Sequence, residues 1–341
     1  MSDNVKNYSK ICSKIGFAML LFYAFFTLSA FAVAIISTIS EILMGTFEAE
    51  VMYEILAAIA YFFSFSGAAF ILRAMTKKYP SSRPIYTSFR FNKWTALLII
   101  AIVAVNFTLA YVNTVMITSL APDFAAELAS STSSMEGRPI SEVIVFFILS
   151  IISTAIVPAI CEEYLFRGAV LTNLMPYGKT TAIVASSFLF GLMHQNPLQL
   201  LYTTLMGVVI GYVYVKTKSI WVCIIIHFVN NFVTVVEEYL PILTRVTWIS
   251  GLIDLLIMLS GAVALILIIF KKDSESGVEQ NGSFGVIYES GMDFEEYELA
   301  LPRGEKLKRF FSVTVVIYTV ICMFSIVSTF LSFFGVGFSL L

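Results

Sequence analysis

The sequence predicts an all-α, polytopic integral membrane protein with about nine transmembrane helices packed as a helical bundle. Two observations carry that reading. Of 341 residues, 58% are hydrophobic and only 13% charged, against roughly 45–50% and about 25% in soluble domains. Apolar runs of membrane-spanning length recur along the chain, and the mean hydropathy is +0.88. A soluble fold could not keep that much apolar surface out of water. The length alone would suggest about two soluble domains, and composition overrides it. The net charge of −2 and pI near 5.8 exclude the basic face of a nucleic-acid binder. Membrane lipids are the expected surroundings.

Spans are expected near 15–39, 52–75, 94–119, 141–160, 180–197, 199–216, 219–239, 249–270 and 310–334. Each approaches or exceeds the roughly 20 apolar residues that cross a hydrocarbon core. The run from Ile15 to Ile39 is too long for the apolar region of a cleavable signal peptide, so it is read as the first span. A short extra helix over roughly 161–175 is expected after the fourth span. The chain therefore divides into N-terminal transmembrane helices (1–140), a core carrying the chemistry (141–240), a transmembrane helix (241–272), an acidic linker (273–308) and a C-terminal transmembrane helix (309–341). The linker's 273–301 stretch holds acids and glycines with no lysine or arginine, the pattern of solvated chain.

Positive charge predicts the orientation. Lys6, Lys10 and Lys14, the loop from Arg73 to Lys93, Lys179, Lys216 and Lys218, Lys271 and Lys272, and Lys306, Lys308 and Arg309 fall on one side of such a bundle. Glu41, Glu48, Glu50, Asp123, Glu127, Glu136, Glu237 and Glu238 fall on the other. The expectation is a multi-pass cell-membrane protein with a cytoplasmic N-terminus, a cytoplasmic acidic linker and an external C-terminus. Trp94, Trp221 and Trp248 sit at expected helix starts, where interfacial anchors belong. Cys12, Cys161, Cys223 and Cys322 form no C-x-x-C pair and read as small buried side chains.

Ionisable residues inside spans are costly and point to function. The chain has two histidines, His194 and His227, and both lie in apolar segments. The pair Glu162–Glu163 ends a long apolar run. Neighbours on a helix point about 100° apart, so the two carboxylates face different partners. Glu163 and Arg167 are i,i+4 and share a face. Glu162 has no partner nearby in sequence, and a carboxylate in apolar surroundings suits a general base. His227 and Asn231 are also i,i+4, and an imidazole and a carboxamide aimed at one point could bind a developing oxyanion. Asn230 faces elsewhere. Phe190 and His194 repeat the spacing, which would pack the aromatic ring against the imidazole.

Glu162-Glu163-x-x-x-Arg167, Phe190-x-x-x-His194 and His227-x-x-x-Asn231, in that order and in apolar helices, resemble the CAAX protease and bacteriocin-processing (CPBP) family, related to the type II CAAX prenyl endopeptidases. Bacterial members are often called Abi proteins. The resemblance covers about residues 141–240. It implies an intramembrane protease with a catalytic helical bundle, open to the cytoplasm. Glu162 and His194 would activate the hydrolytic water, His227 and Asn231 would stabilise the oxyanion, and Glu163, Arg167 and Phe190 would support the site. The family carries a metalloprotease label beside a proposed metal-free glutamate mechanism. No H-E-x-x-H is present, yet Glu162, His194 and His227 are a sufficient ligand set for zinc or another divalent metal.

Two other functions compete. A proton-coupled transporter could use Glu162, His194 and His227 as a relay, although no internal repeat is visible. A catalytically silent scaffold or bacteriocin-immunity protein would not need all three motifs intact. The expected partner is a peptide or membrane-protein substrate. Span counting also leaves a tension: Glu162 falls near the end of one helix and His194 beyond the midplane of the next, yet a shared site requires them to meet.

Overall fold

The computed structural model describes residues 3–79, 93–120, 135, 137–274, 299, 301 and 303–332. Among them the chain is all helix, with no strand. The helices are α1 (Asp3–Met44), α2 (Thr46–Thr76), α3 (Lys93–Leu120), a composite α4 (Ile140–Tyr177), α5 (Lys179–Met193), α6 (Pro197–Thr217), α7 (Ile220–Thr244), α8 (Ile249–Ser274), α9 (Arg303–Phe310) and α10 (Val313–Ser332). Eight of these are long and apolar enough to cross a membrane. The protein is a multi-pass, all-α membrane bundle.

The fourth predicted span does not stop at 160, and the short separate helix expected over 161–175 does not exist as such. α4 runs unbroken to Tyr177 because it passes through two π-helical segments, Ile151–Ile156 and Phe166–Leu171. The first absorbs a proline. Pro158 has no N–H, and its ring would collide with the preceding turn of a regular α-helix. The Val157 N–H bonds back to the Ile152 carbonyl instead, and this wider register carries the helix past Pro158. Between the two π segments lies the turn bearing Glu162 and Glu163 (Val157–Leu165).

The fifth predicted span, 180–197, is shorter than expected. α5 has 15 residues, about 22 Å at 1.5 Å per residue, which is less than the roughly 30 Å hydrocarbon thickness. It ends because Gln195 turns left-handed (φ 49°), and Asn196 then caps α6 by accepting from the Leu198 N–H at 2.9 Å. Pro197 occupies the first turn, where a missing N–H costs nothing. This removes the depth tension. The second half of α4 and α5 form a hairpin about the turn at Gly178 (φ 137°). Glu162 and His194 both lie about 23 Å from that turn along their helices. They stand at one level.

Small residues draw α6 onto this hairpin. A side chain at Gly191 would strike Thr204 and the Leu200 carbonyl, and one at Gly207 would press against Ser187. Such close approach is how helices associate where lipid removes the hydrophobic drive. α7 then returns along the first half of α4, and α2 lies along α4 on another side. α1 packs on α2 and α10, and α3 on α8.

Arg138 stands outside the one-sided distribution of positive charge, and it is neutralised locally. Its guanidinium forks onto Glu50 at 2.5 and 2.8 Å, with Glu142 at 3.7 Å. All four cysteines are free and buried, as expected. Within the predicted linker, 275–298, 300 and 302 lie outside the described residues. What precedes α10 is nevertheless attached to the bundle. The Leu299 N–H donates to the Pro176 carbonyl at 2.7 Å, Leu299 and Leu301 pack on the core, and 303–310 is helical. On α9 the Arg309 guanidinium, 2.8 Å from Glu305, holds that carboxyl below the usual glutamate range.

Candidate active site

Glu163 is fully buried; its Oε1 is bonded on two sides, and its Oε2 has no hydrogen-bond partner among the described residues. Arg167, one turn on, donates to its Oε1 at 2.8 Å, and His227 Nδ1 lies 2.8 Å from the same oxygen. Arg167 is itself 1% exposed. It donates a second hydrogen bond to the Gly207 carbonyl at 3.2 Å, and its guanidinium stacks 4.8 Å from the centre of the Phe190 ring. A buried charge pair of this kind holds its geometry because neither partner can find water. Side chains from α4, α5 and α7 and a backbone carbonyl of α6 meet here.

Glu162, on the adjoining face of α4, has a different environment. One oxygen, Oε1, accepts a hydrogen bond from the Tyr61 hydroxyl of α2. The other, Oε2, lies 3.9 Å from His227 Nε2, beyond hydrogen-bond length. Glu162 Oε2 and His194 Nε2 are both buried without a hydrogen-bond partner among the described residues. Phe190 stands edge-on to both imidazoles, 5.2 Å from the His194 ring and 6.2 Å from the His227 ring. The structure thus brings Glu162, Glu163, Arg167, Phe190, His194 and His227 into one buried cluster from three separate sequence segments.

Asn231 is tied to the edge of this cluster. Its side-chain N–H donates to the Thr154 carbonyl at 3.0 Å. In a regular helix that carbonyl would accept from the N–H of residue 158, which is proline. Asn231 therefore satisfies a backbone acceptor that Pro158 leaves unpaired. One N–H of its carboxamide remains for other use. Asn230 is buried, donating to Asn231 Oδ1 at 3.2 Å and to the Tyr202 hydroxyl at 3.4 Å, so it belongs to the same polar seam.

The donor set for a metal is chemically apt, two imidazoles and a carboxylate, but its arrangement is not. Among the described residues no group of three His, Cys, Asp or Glu side chains is placed to hold one ion. His227 Nδ1 is engaged by Glu163, and its Nε2 stands 3.9 Å from Glu162. As placed here, Glu162, His194 and His227 do not converge on one ion position.

Tyr61 escapes a reading of motifs because it lies 101 residues from Glu162 in sequence. The local signal was only a tyrosine in an apolar span, whose hydroxyl needs a partner once buried. The Thr154–Asn231 bond was hinted at by Pro158, since a mid-helix proline implies an unpaired carbonyl four residues back.

Comparison with known proteins finds likeness over about a quarter of the chain. The family model described as "Type II CAAX prenyl endopeptidase Rce1-like" matches residues 144–233. A Bacillus subtilis (strain 168) protein named "Putative membrane peptidase YdiL" is 37% identical over 97 residues, which are 28% of this chain and 39% of that protein. The match thus spans well under half the relative's length. No solved structure matches the chain. The matched residues hold all three motifs and every side chain of the cluster, while Tyr61 lies outside them, so over 144–233 the chain is similar to the type II CAAX prenyl endopeptidase (Rce1-like) family.

Proposed function

We propose that the protein is an intramembrane endopeptidase that hydrolyses a peptide bond in a membrane-associated peptide or protein. The observation that carries this reading is that buried Glu162 Oε2 and His194 Nε2 lack partners among the described residues, beside a Glu163–Arg167–His227 corner held together through Glu163 Oε1. Water held between Glu162 and His194 gives up a proton to Glu162 as its oxygen attacks the scissile carbonyl carbon. The C–N bond then breaks as that proton passes to the leaving amine. Held at Nδ1 by Glu163, His227 turns its Nε2 edge to the oxyanion, beside the remaining N–H of Asn231. Arg167 and Phe190 keep Glu163 and the two imidazoles in place.

The depth of the site within a hairpin of helices suits a substrate that is itself in or on the membrane. The bias of lysine and arginine supports a cytoplasmic N-terminus; with the α5–α6 pair entering and leaving on the lysine-bearing side, at Lys179 and Lys216, it also supports an external C-terminus. The test is a comparison of membrane peptides from cells making the wild-type protein and Glu162→Gln at equal levels. Products present only with the wild type are expected, and identical peptide sets would reject the reading.

A further inference from the structure

We infer that Tyr61 is a positioning residue for Glu162: its hydroxyl holds one carboxylate oxygen so that the other faces the hydrolytic water. The inference rests on the protease reading above, and it assigns a part in the chemistry to α2, outside the segment that the family model matches.

Glu162 needs an external guide. Glu163 is oriented by two short bonds, to Arg167 and His227. Among the described residues Glu162 receives one hydrogen bond, from Tyr61, and His227 stands too far away to add a second. Without Tyr61 the carboxylate could turn either oxygen into the site, or pair directly with His227. With Oε1 occupied, the base is Oε2. In an apolar interior a single hydrogen bond of this kind is stronger than in water.

Tyr61 is itself held firmly. Its ring stacks on Phe65, one turn on, at 4.4 Å and 23°. Phe26 of α1 meets it edge-on at 5.9 Å, and Phe22 of α1 packs on Phe65 at 4.4 Å. The hydroxyl's level along α4 is also set. Polar contacts register α2 against α4 on both sides of Glu162: Ser153 donates to Glu54 at 3.2 Å, and Arg73 donates to the Gly168 carbonyl at 2.9 Å. The hydroxyl is thus delivered to Glu162 by a rigid pair of helices.

The experiment uses the full chain reconstituted in lipid vesicles, with a fluorogenic peptide selected from a library as cleaved by the wild type and not by Glu162→Gln. Tyr61→Phe keeps the ring stack and removes only the hydroxyl. A slightly misplaced base should lower kcat about 10- to 100-fold while KM stays within about twofold of the wild type. The infrared difference between the wild type and Glu162→Gln identifies the Glu162 carboxyl band, and this band should shift in Tyr61→Phe. Thermal melting of each variant separates these effects from misfolding. An unmoved band would overturn the contact regardless of activity. A moved band with unchanged kcat would overturn the positioning role while leaving the protease reading intact. If no peptide is cleaved in a Glu162-dependent way, the protease reading fails, and the inference falls with it.

Discussion

Two halves of the same buried cluster are built on opposite terms. On the Glu163 side, the charges of Glu163 and Arg167 are matched, with 2.8 Å bonds from the carboxylate to Arg167 and His227. On the Glu162 side no guanidinium meets the carboxylate; its Oε2 and the His194 Nε2 are buried yet unbonded among the described residues, as Glu163 Oε2 also is. Glu162 and Glu163 are consecutive residues in one helical turn, so depth does not separate them. What separates them is the neighbour each face meets: Arg167, His227 and the α6 backbone for one, Tyr61 and open polar atoms for the other. The closed half has the construction of a support, and the open half that of a reaction site. Leaving buried polar atoms unpaired costs about 1–3 kcal/mol each. Spread over a large apolar bundle, that cost is tolerated where it exposes reactive groups.

The contrast predicts that the two halves fail differently. Glu162→Gln should lower turnover by at least about 10²–10⁴, the usual worth of a general base, with a melting temperature close to the wild type. Arg167→Met should act the other way round. It leaves Glu163 as an uncompensated buried charge, which costs about 3–5 kcal/mol, so unfolding in detergent should begin well below the wild type. If Glu162→Gln is the variant that unfolds, or Arg167→Met stays fully stable, the division between support and reaction site is wrong.

Asn231 lies between the two roles, since it both satisfies Thr154 and is a proposed oxyanion donor. Asn231→Ala should reduce turnover about 10²–10³, the cost of one lost oxyanion donor. Pro158→Ala supplies the missing backbone N–H to Thr154. The double variant should therefore regain any lost stability and none of the lost turnover. Recovery of activity in the double variant would move Asn231 to the supporting half.

The smallest effect is expected far from the cluster. Replacing 275–298 by a neutral Gly/Ser chain of equal length, with Leu299 and Leu301 retained, should leave turnover of a short uncharged peptide within about twofold. Preference among charged peptides should shift, because the acids act over about 8 Å at physiological salt. Full inactivation of folded protein would show that this segment belongs to the site.

Much of the cluster was legible in the chain because its parts are local. Glu163–Arg167, Phe190–His194 and His227–Asn231 are each i,i+4, a spacing that puts two side chains on one helical face whatever surrounds them. The span pattern was legible for the same reason, since hydrophobicity over about 20 residues is a local quantity. The errors came where breakers and neighbours compete. The fourth span was expected to end near 160, but a π segment carried α4 on through Pro158. Apolar residues up to Leu192 and Met193 suggested a span reaching 197, but the left-handed Gln195 and the Asn196 cap ended α5 first.

By itself, then, the sequence determined a polytopic helical membrane protein and the three helical faces that carry its ionisable groups. Composition and periodicity act within one segment, and they need no knowledge of what packs against it. Only the tertiary structure decided that His227 would join Arg167 at Glu163. It also brought Tyr61 from α2 to Glu162, and it spent part of Asn231 on the carbonyl that Pro158 leaves free. Those outcomes depend on contacts between helices far apart in the chain, where burial removes water as the alternative partner and every polar atom must take what its neighbours offer.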